Sequence, residues 1–302
     1  MTSRHSFTQR RQRSRTRTVL IALTAALAAA VLVVTGLVAK GFASSDGRPQ
    51  AASLAPSPQF TMPKNWKLTF SSNFTGSVVN TKVWATCYWW VKPGQGCTNY
   101  GTGSELEWYQ PSQIEVKDGI LHLLAERTKT AGLDSKGNPK TYACRSGMVT
   151  TAPSFNFKYG LVQITARIPY NKELWPALWL VASNHKWPPE VDILEHWNTD
   201  LNAKIYLHPK TGARQGGPIY TPGNLSKGWH TFRLYWTKTQ LTWFIDGVQV
   251  FTTKTGIPQQ DMYLIMNIAD TAAGTSAGLG TGPGICTGNM AIKSVKVWQP
   301  PA

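Results

Sequence analysis

An all-β fold built from antiparallel strands, a sandwich or a barrel, is the class this sequence predicts, and three observations predict it. From Trp66 onward the chain is a series of short runs rich in β-branched and aromatic residues, among them LTFSSNF, GILHLLAERT, YGLVQITARI, ALWLVAS, EVDILEHW, HTFRLYWT and MYLIMNIA. Gly, Pro, Asn and Asp separate them, as turns separate strands. Several runs alternate: Val162, Ile164, Ala166 and Ile168 fall on one side of a strand and Leu161, Gln163, Thr165 and Arg167 on the other, and Phe232, Leu234 and Trp236 share a face. Asp246-Gly247, between LTWFI and VQVF, is a strong two-residue hairpin turn. No stretch after residue 40 carries a sustained helical period with caps, and neither G-x-G-x-x-G nor a P-loop occurs, so a nucleotide cofactor is not expected.

The first four dozen residues differ from the rest. Residues 1–17 hold Arg4, Arg10, Arg11, Arg13, Arg15 and Arg17 and no acid, and an apolar run, 18–39, follows. A basic start before an apolar run is either a secretory signal or a membrane anchor. Its 22 residues suit a spanning helix of ~20 better than a signal core of ~7–15. Gly41-Phe42-Ala43 nevertheless offers a signal peptidase small residues at which to cut. An uncleaved anchor is the favoured reading. In either case the basic end stays inside and the rest goes out, so the protein is expected to be extracellular, anchored or secreted. Residues 40–60 read as a flexible linker, small, polar and Pro-rich, and 61–300 as one large all-β domain.

The formal net charge is +16, and the seven basic residues of 1–43 leave +9 on the remainder. That charge is scattered rather than drawn into a stripe, so nucleic acid is not an expected partner. Contact with the membrane is expected only through the N-terminal segment. The four cysteines, Cys87, Cys97, Cys144 and Cys286, all lie in the exported part, where an even count favours two disulfides. Three pairings can be drawn. Cys87 and Cys97 bracket a turn-rich loop containing KPGQG, which favours pairing them and leaves Cys144 with Cys286. A zinc site is not expected, because no C-x-x-C spacing occurs and no histidine stands near a cysteine pair.

The informative segment runs from Pro188 to Trp197, PPEVDILEHW. Acids are scarce, seven Glu and eight Asp in 302 residues. The pattern E-x-D-x-x-E of Glu190, Asp192 and Glu195 would arise by chance only about 0.004 times in such a chain, so a solvated face of salt bridges is a poor explanation. Glu190 and Asp192, two apart, share a strand face. Glu195, five from Glu190, would point away unless a β-bulge at Ile193-Leu194 inserted one extra residue. With that bulge the two Cα atoms stand about 13 Å apart, at ~3.3 Å per residue. Side chains leaning together could then approach the ~5–5.5 Å that separates the carboxyls of a retaining glycosidase. Such chemistry needs one carboxylate to attack and one protonated carboxyl to donate. A metal site of Asp192, Glu195 and His196 is the weaker alternative, because adjacent residues of a strand face opposite ways.

Glu190–Glu195, preceded by LWPALWL (Leu174–Leu180), resembles glycoside hydrolase family 16, the laminarinase and lichenase group. The likeness runs over 66–299. LTFSSNF resembles the opening strand, GSELEWY (Gly103–Tyr109) the substrate-side loop, and MYLIMNIA (Met262–Ala269) a late cleft strand. The resemblance implies a concanavalin-like jelly roll with a concave cleft, retention of configuration, Glu190 as nucleophile, Asp192 as its assistant and Glu195 as general acid/base. It implies Trp175 on the cleft floor and His208 in the cleft. Trp179, Trp108, Glu105 and Asn267 complete the expected substrate contacts. The expected substrate is a β-linked polysaccharide, foremost a β-1,3-glucan cut internally. The alternatives are another β-linked polymer, a transglycosylase, or a lectin-like binding module. A monomer that requires no cofactor is expected, and a structural calcium on the convex side would accord with the resemblance. Ser104 stands where many laminarinases carry Asn, and residues 270–284 lack the tryptophan often found there. Both departures bear on linkage preference.

All thirteen tryptophans lie beyond residue 65. Sugar faces stack on aromatic rings, which suits a polysaccharide cleft. Trp89, Trp90 and Trp108, near turn-rich loops, are the cleft candidates, and the Cys87–Cys97 loop is a candidate cleft wall. Trp236 and Trp243, on strands, are expected to be core or inner-sheet residues.

Overall fold

The computed structural model describes residues 58–301, apart from 93–95, 99–105, 135, 172–173, 197–201, 221–223 and 271–285. The described residues form strands and one short 3-10 turn, Pro111–Gln113, with no α-helix. Among them no helix is long and apolar enough to cross a membrane, and the apolar run 18–39 lies outside them.

Two sheets carry the fold. A ten-stranded sheet runs in the order Val248–Thr253, Leu241–Ile245, His230–Trp236, Gly160–Arg167, Thr287–Gln299, Ile120–Glu126, Cys144–Ser146 and Glu107–Tyr109. Lys67–Ser72 also pairs with Thr287–Gln299, and Ile114–Lys117 with Ile120–Glu126. The second sheet has six strands: Gln215–Tyr220, Asn202–His208, Glu190–Glu195, Leu174–Ala182, Met262–Asp270 and Met148–Thr150. All its pairings are antiparallel. The expected sandwich is therefore present, and the barrel is excluded because neither sheet closes.

The alternation read from the sequence sorts residues as strand geometry requires. Val162, Ile164 and Ala166, like Phe232, Leu234 and Trp236, are fully buried in the main core, where they meet Leu178, Leu180, Val191, Leu264 and Met266 of the six-stranded sheet. Asp246 and Gly247 both take positive φ, 50° and 86°, between paired Ile245 and Val248. That is the turn whose twist matches its flanking strands. The disulfides join Cys87 to Cys97 and Cys144 to Cys286, with Cα separations of 5.5 and 6.0 Å, ordinary spans for such bonds.

The six-stranded sheet has a second apolar cluster on its other face. Ala177, Trp179, Val181, Tyr263, Ile265 and Met148 lie there beneath Tyr88 and Tyr109, with Trp90 packed against them. Tyr88 and Trp90 of the Cys87–Cys97 segment thus lie over one half of this face. The half bearing Glu190–Glu195 and Asn202–His208 carries the acids.

Candidate active site

Register places the three acids. Glu190 stands opposite His208, Asp192 opposite Tyr206 and Glu195 opposite Lys204. The partners 208, 206 and 204 share one face by simple alternation, so the acids share it too. Asp192 and Glu195 are three positions apart where their partners are two apart, and the neighbouring strand records the same slip, with Ile193 left without an opposite number. Ile193 and Leu194, consecutive in sequence, both turn into the core, 2% and 0% exposed. This is the bulge that the spacing predicted.

The two outer acids sit in different surroundings. Glu195 is buried and its Oε1 accepts the indole N–H of Trp175 at 2.7 Å. Burial, then the charges of Asp192 and Glu190, push its carboxyl well above the usual range, against the Trp175 bond and the Arg214 charge. Glu190 is half-buried; its Oε2 accepts from Trp187 Nε1 at 3.1 Å and its Oε1 lies 3.5 Å from His208 Nε2. Burial also raises Glu190, while His208 and the Trp187 bond favour its charged form. Asp192, 3% exposed, has Oδ2 at 3.5 Å from the same His208 nitrogen. Burial and then the Glu190 charge raise it well above a normal aspartate. His208 itself is lowered, chiefly by burial. Burial makes charge costly throughout this group and raises Asp192 and Glu195 further than Glu190.

Several expected contacts are placed elsewhere. Trp179 is buried beneath the Tyr88 and Trp90 rings, and its Nε1 donates to Asn267 Oδ1 at 2.7 Å. Asn267, also buried, donates to Tyr109 Oη at 2.8 Å. Both therefore support the floor rather than present it to a sugar, because the aromatic loop covers their half of the sheet. Trp108 is absent from the apolar cluster that its neighbour Tyr109 joins, and packs on Tyr142 with centroids 5.0 Å apart. Adjacent strand residues face opposite ways, which the position of Trp108 beside a loop concealed. Glu105 lies outside the described residues. His196 is buried with its ring 6.0 Å from Tyr170.

Three contributors were not picked out as site residues from sequence. Trp187, 66% exposed, bonds to Glu190 from just before the Pro188-Pro189 pair. The aromatic next to the acidic motif was the available signal. Arg214 lies over the Tyr206 ring at 4.4 Å and favours the charged forms of Asp192 and Glu195. A lone arginine in a Gly-rich loop gives no such signal. Trp243, assigned to the core, donates Nε1–H to the backbone carbonyl of Asp192 at 2.9 Å.

Among the described residues, two groups bring metal-ligating atoms together, Cys144, Asp270 and Cys286, and Glu190, Asp192 and His208. Neither suits calcium, which takes six to eight oxygens. The first offers disulfide sulfurs and the second an imidazole among only two carboxylates.

Comparison with known proteins accords with this geometry. A family model described as glycosyl hydrolases family 16 matches residues 104–281, which include the bulged strand. A second, beta-glucan synthesis-associated protein SKN1/KRE6/Sbg1, matches 17–186 and ends before the acids. The endo-1,3-1,4-beta-glycanase EglC of Rhizobium meliloti is 31% identical over 67% of this chain and 45% of its own length. A beta-glucanase of Rhodothermus marinus is 28% identical over 60% of this chain and 63% of its own. The chain thus spans less than two thirds of either relative. The catalytic domain of an endo-1,3-beta-glucanase (laminarinase) from Thermotoga petrophila superposes with a TM-score of 0.67 at 25% identity, over 79% of this chain and 99% of that one. With its jelly-roll sheets, its bulged acidic strand and a family model that covers more than half its length, the chain belongs to glycosyl hydrolases family 16.

Proposed function

We propose that this chain is a retaining endo-β-glucanase that acts foremost on β-1,3-linked glucan, with Glu190 as nucleophile and Glu195 as general acid/base. The observation that carries the reading is the unequal setting of two carboxyls on one face of a single bulged strand. Glu195, buried beside Asp192, is raised well above the ordinary range, which favours the protonated form a general acid needs. Glu190 faces the Trp187 N–H and His208, which favour the carboxylate an attack requires.

In the first step Glu190 forms a bond to the anomeric carbon while the glycosidic C–O bond breaks and Glu195 gives its proton to the leaving oxygen. In the second, ionised Glu195 takes a proton from water, the hydroxide oxygen bonds to the anomeric carbon, and Glu190 leaves as carboxylate. Asp192, which shares the face and is raised by burial and by the Glu190 charge, orients Glu190. These steps use no cofactor. The β-1,3 preference is supported by likeness to the Thermotoga petrophila laminarinase and to EglC, whose names carry 1,3 linkages. Export of the domain, tethered by the apolar run 18–39 or freed from it, is supported by the basic start and the polar linker.

Incubating the purified chain with laminarin, lichenan, agarose and carrageenan and sizing the products tests the substrate. Proton NMR of the first product reports its anomeric configuration. The expected result is shortening laminarin oligomers released as β-anomers, with Glu190→Gln inactive but still bound to glucan. An initial α-anomer would overturn retention. Wild-type protein that binds laminarin and cleaves no polymer would replace the enzyme by a binding module.

A further inference from the structure

The bulge that brings Glu195 to the cleft is held from the opposite sheet. Trp243, on the strand Leu241–Ile245 of the ten-stranded sheet, is 1% exposed and its Nε1–H reaches the carbonyl of Asp192 at 2.9 Å. In a regular strand backbone carbonyls lie in the sheet and meet a neighbouring strand. This one, at the last paired residue before the slip, accepts from a side chain across the core. A bulge is a place where a ladder loses partners and the strand bends. A donor aimed at that point favours the bulged register over a slipped one.

We infer that Trp243 is a positioning residue: its indole N–H pins the Asp192 carbonyl and so sets where Glu195 points relative to Glu190. The inference rests on the reading of Glu190 and Glu195 as the reacting pair. Its force lies in a comparison within the same core. Trp236, on the adjacent strand, is equally buried and donates its Nε1–H to the carbonyl of Pro258 at 3.2 Å, away from the acids. Removal of either N–H leaves one buried carbonyl short of a donor, but only Trp243 acts on the catalytic strand. Its ring lies 5.4 Å from that of Phe251, an aromatic setting that a phenyl ring can share.

The experiment compares Trp243→Phe with Trp236→Phe in the full chain, measuring Tm and steady-state kinetics on laminarin oligosaccharides and on an aryl β-glucoside with an activated leaving group. Both variants are expected to lose similar Tm. Trp243→Phe is expected to lose about 10- to 100-fold in kcat on the oligosaccharide with KM little changed. Its loss in kcat/KM, which reports the first step, should be smaller on the aryl glycoside, because that leaving group needs no proton from Glu195. Trp236→Phe should keep kcat within about twofold. Should Trp243→Phe fail to fold, β-(3-benzothienyl)alanine at position 243 keeps the ring shape without the N–H and gives the same readout. Equal kcat on the oligosaccharide for the two variants, or equal loss of kcat/KM on both substrates, overturns the inference. A wild type inactive on every β-glucan marks failure of the underlying reading instead, and this inference falls with it.

Discussion

The bulge makes a prediction about chain length rather than side-chain chemistry. Deleting Ile193 turns the spacing into E-x-D-x-E, in which every second residue of an unbroken strand carries an acid. Glu190 and Glu195 already stand opposite His208 and Lys204, four partner positions apart, or about 13 Å at ~3.3 Å per residue. The shortened strand spans the same distance, so all three acids stay on the cleft face. Ile193 is 2% exposed, and losing a buried aliphatic side chain costs about 2–5 kcal/mol. A regained ladder hydrogen bond offsets about 0.5–1.5 kcal/mol. A net loss of about 0.5–4.5 kcal/mol lowers Tm by roughly 1–18 °C in a domain of this size. Hydrolysis should persist within about tenfold of the parent, since the acid and the nucleophile keep their places. Deleting Leu194 as well restores odd spacing without a bulge and turns Glu195 into the core. That should abolish the acid's contribution, about 10²–10⁴-fold, and destabilise the fold much further. Thermal melts and reducing-end release from laminarin measure both. If the single deletion melts cooperatively near its expected Tm yet is as inactive as the double one, the bulge does more than set the face of Glu195, and the reasoning fails.

Two further outcomes follow from the charges. Trp175→Phe removes a hydrogen bond that favours ionised Glu195, so the alkaline limb of kcat/KM should move to higher pH; a limb that moves lower would contradict the assignment of Glu195 as the acid. Glu195 is raised in the folded state above its ordinary 4.5, so the folded protein holds this proton more tightly and stability falls as pH climbs from 4.5 through the raised value. Glu195→Gln should flatten that part of the Tm–pH curve and raise Tm at neutral pH, and a lower Tm for Gln at pH 7 would count against it.

The strands were legible because alternation is a local property: Val162, Ile164 and Ala166, or Phe232, Leu234 and Trp236, declare their face through chemistry alone. The acidic motif was legible for a related reason, since three scarce acids at a spacing that requires an extra residue leave few conformations that serve a purpose. Even the turn at Asp246-Gly247 could be read, because positive φ is open to few residue pairs. Trp179, Asn267 and Trp108 mark where local reading ended. Their types suit a sugar, but whether a ring meets solvent depends on what lies over it. The cover is the Tyr88 and Trp90 loop, about ninety residues earlier than Trp179 in the chain and joined to it by no pattern in sequence. The setting of each carboxyl was likewise a tertiary matter. Trp187, Arg214, His208 and Trp243 come from four separate segments. Sequence by itself determined the class of fold, the kinked strand and the acids on it, all consequences of spacing along one strand. Which aromatics are covered, how far burial raises each carboxyl and which side chain meets the Asp192 carbonyl were decided only by packing, because burial and electrostatic neighbours are sums over residues distant in the chain.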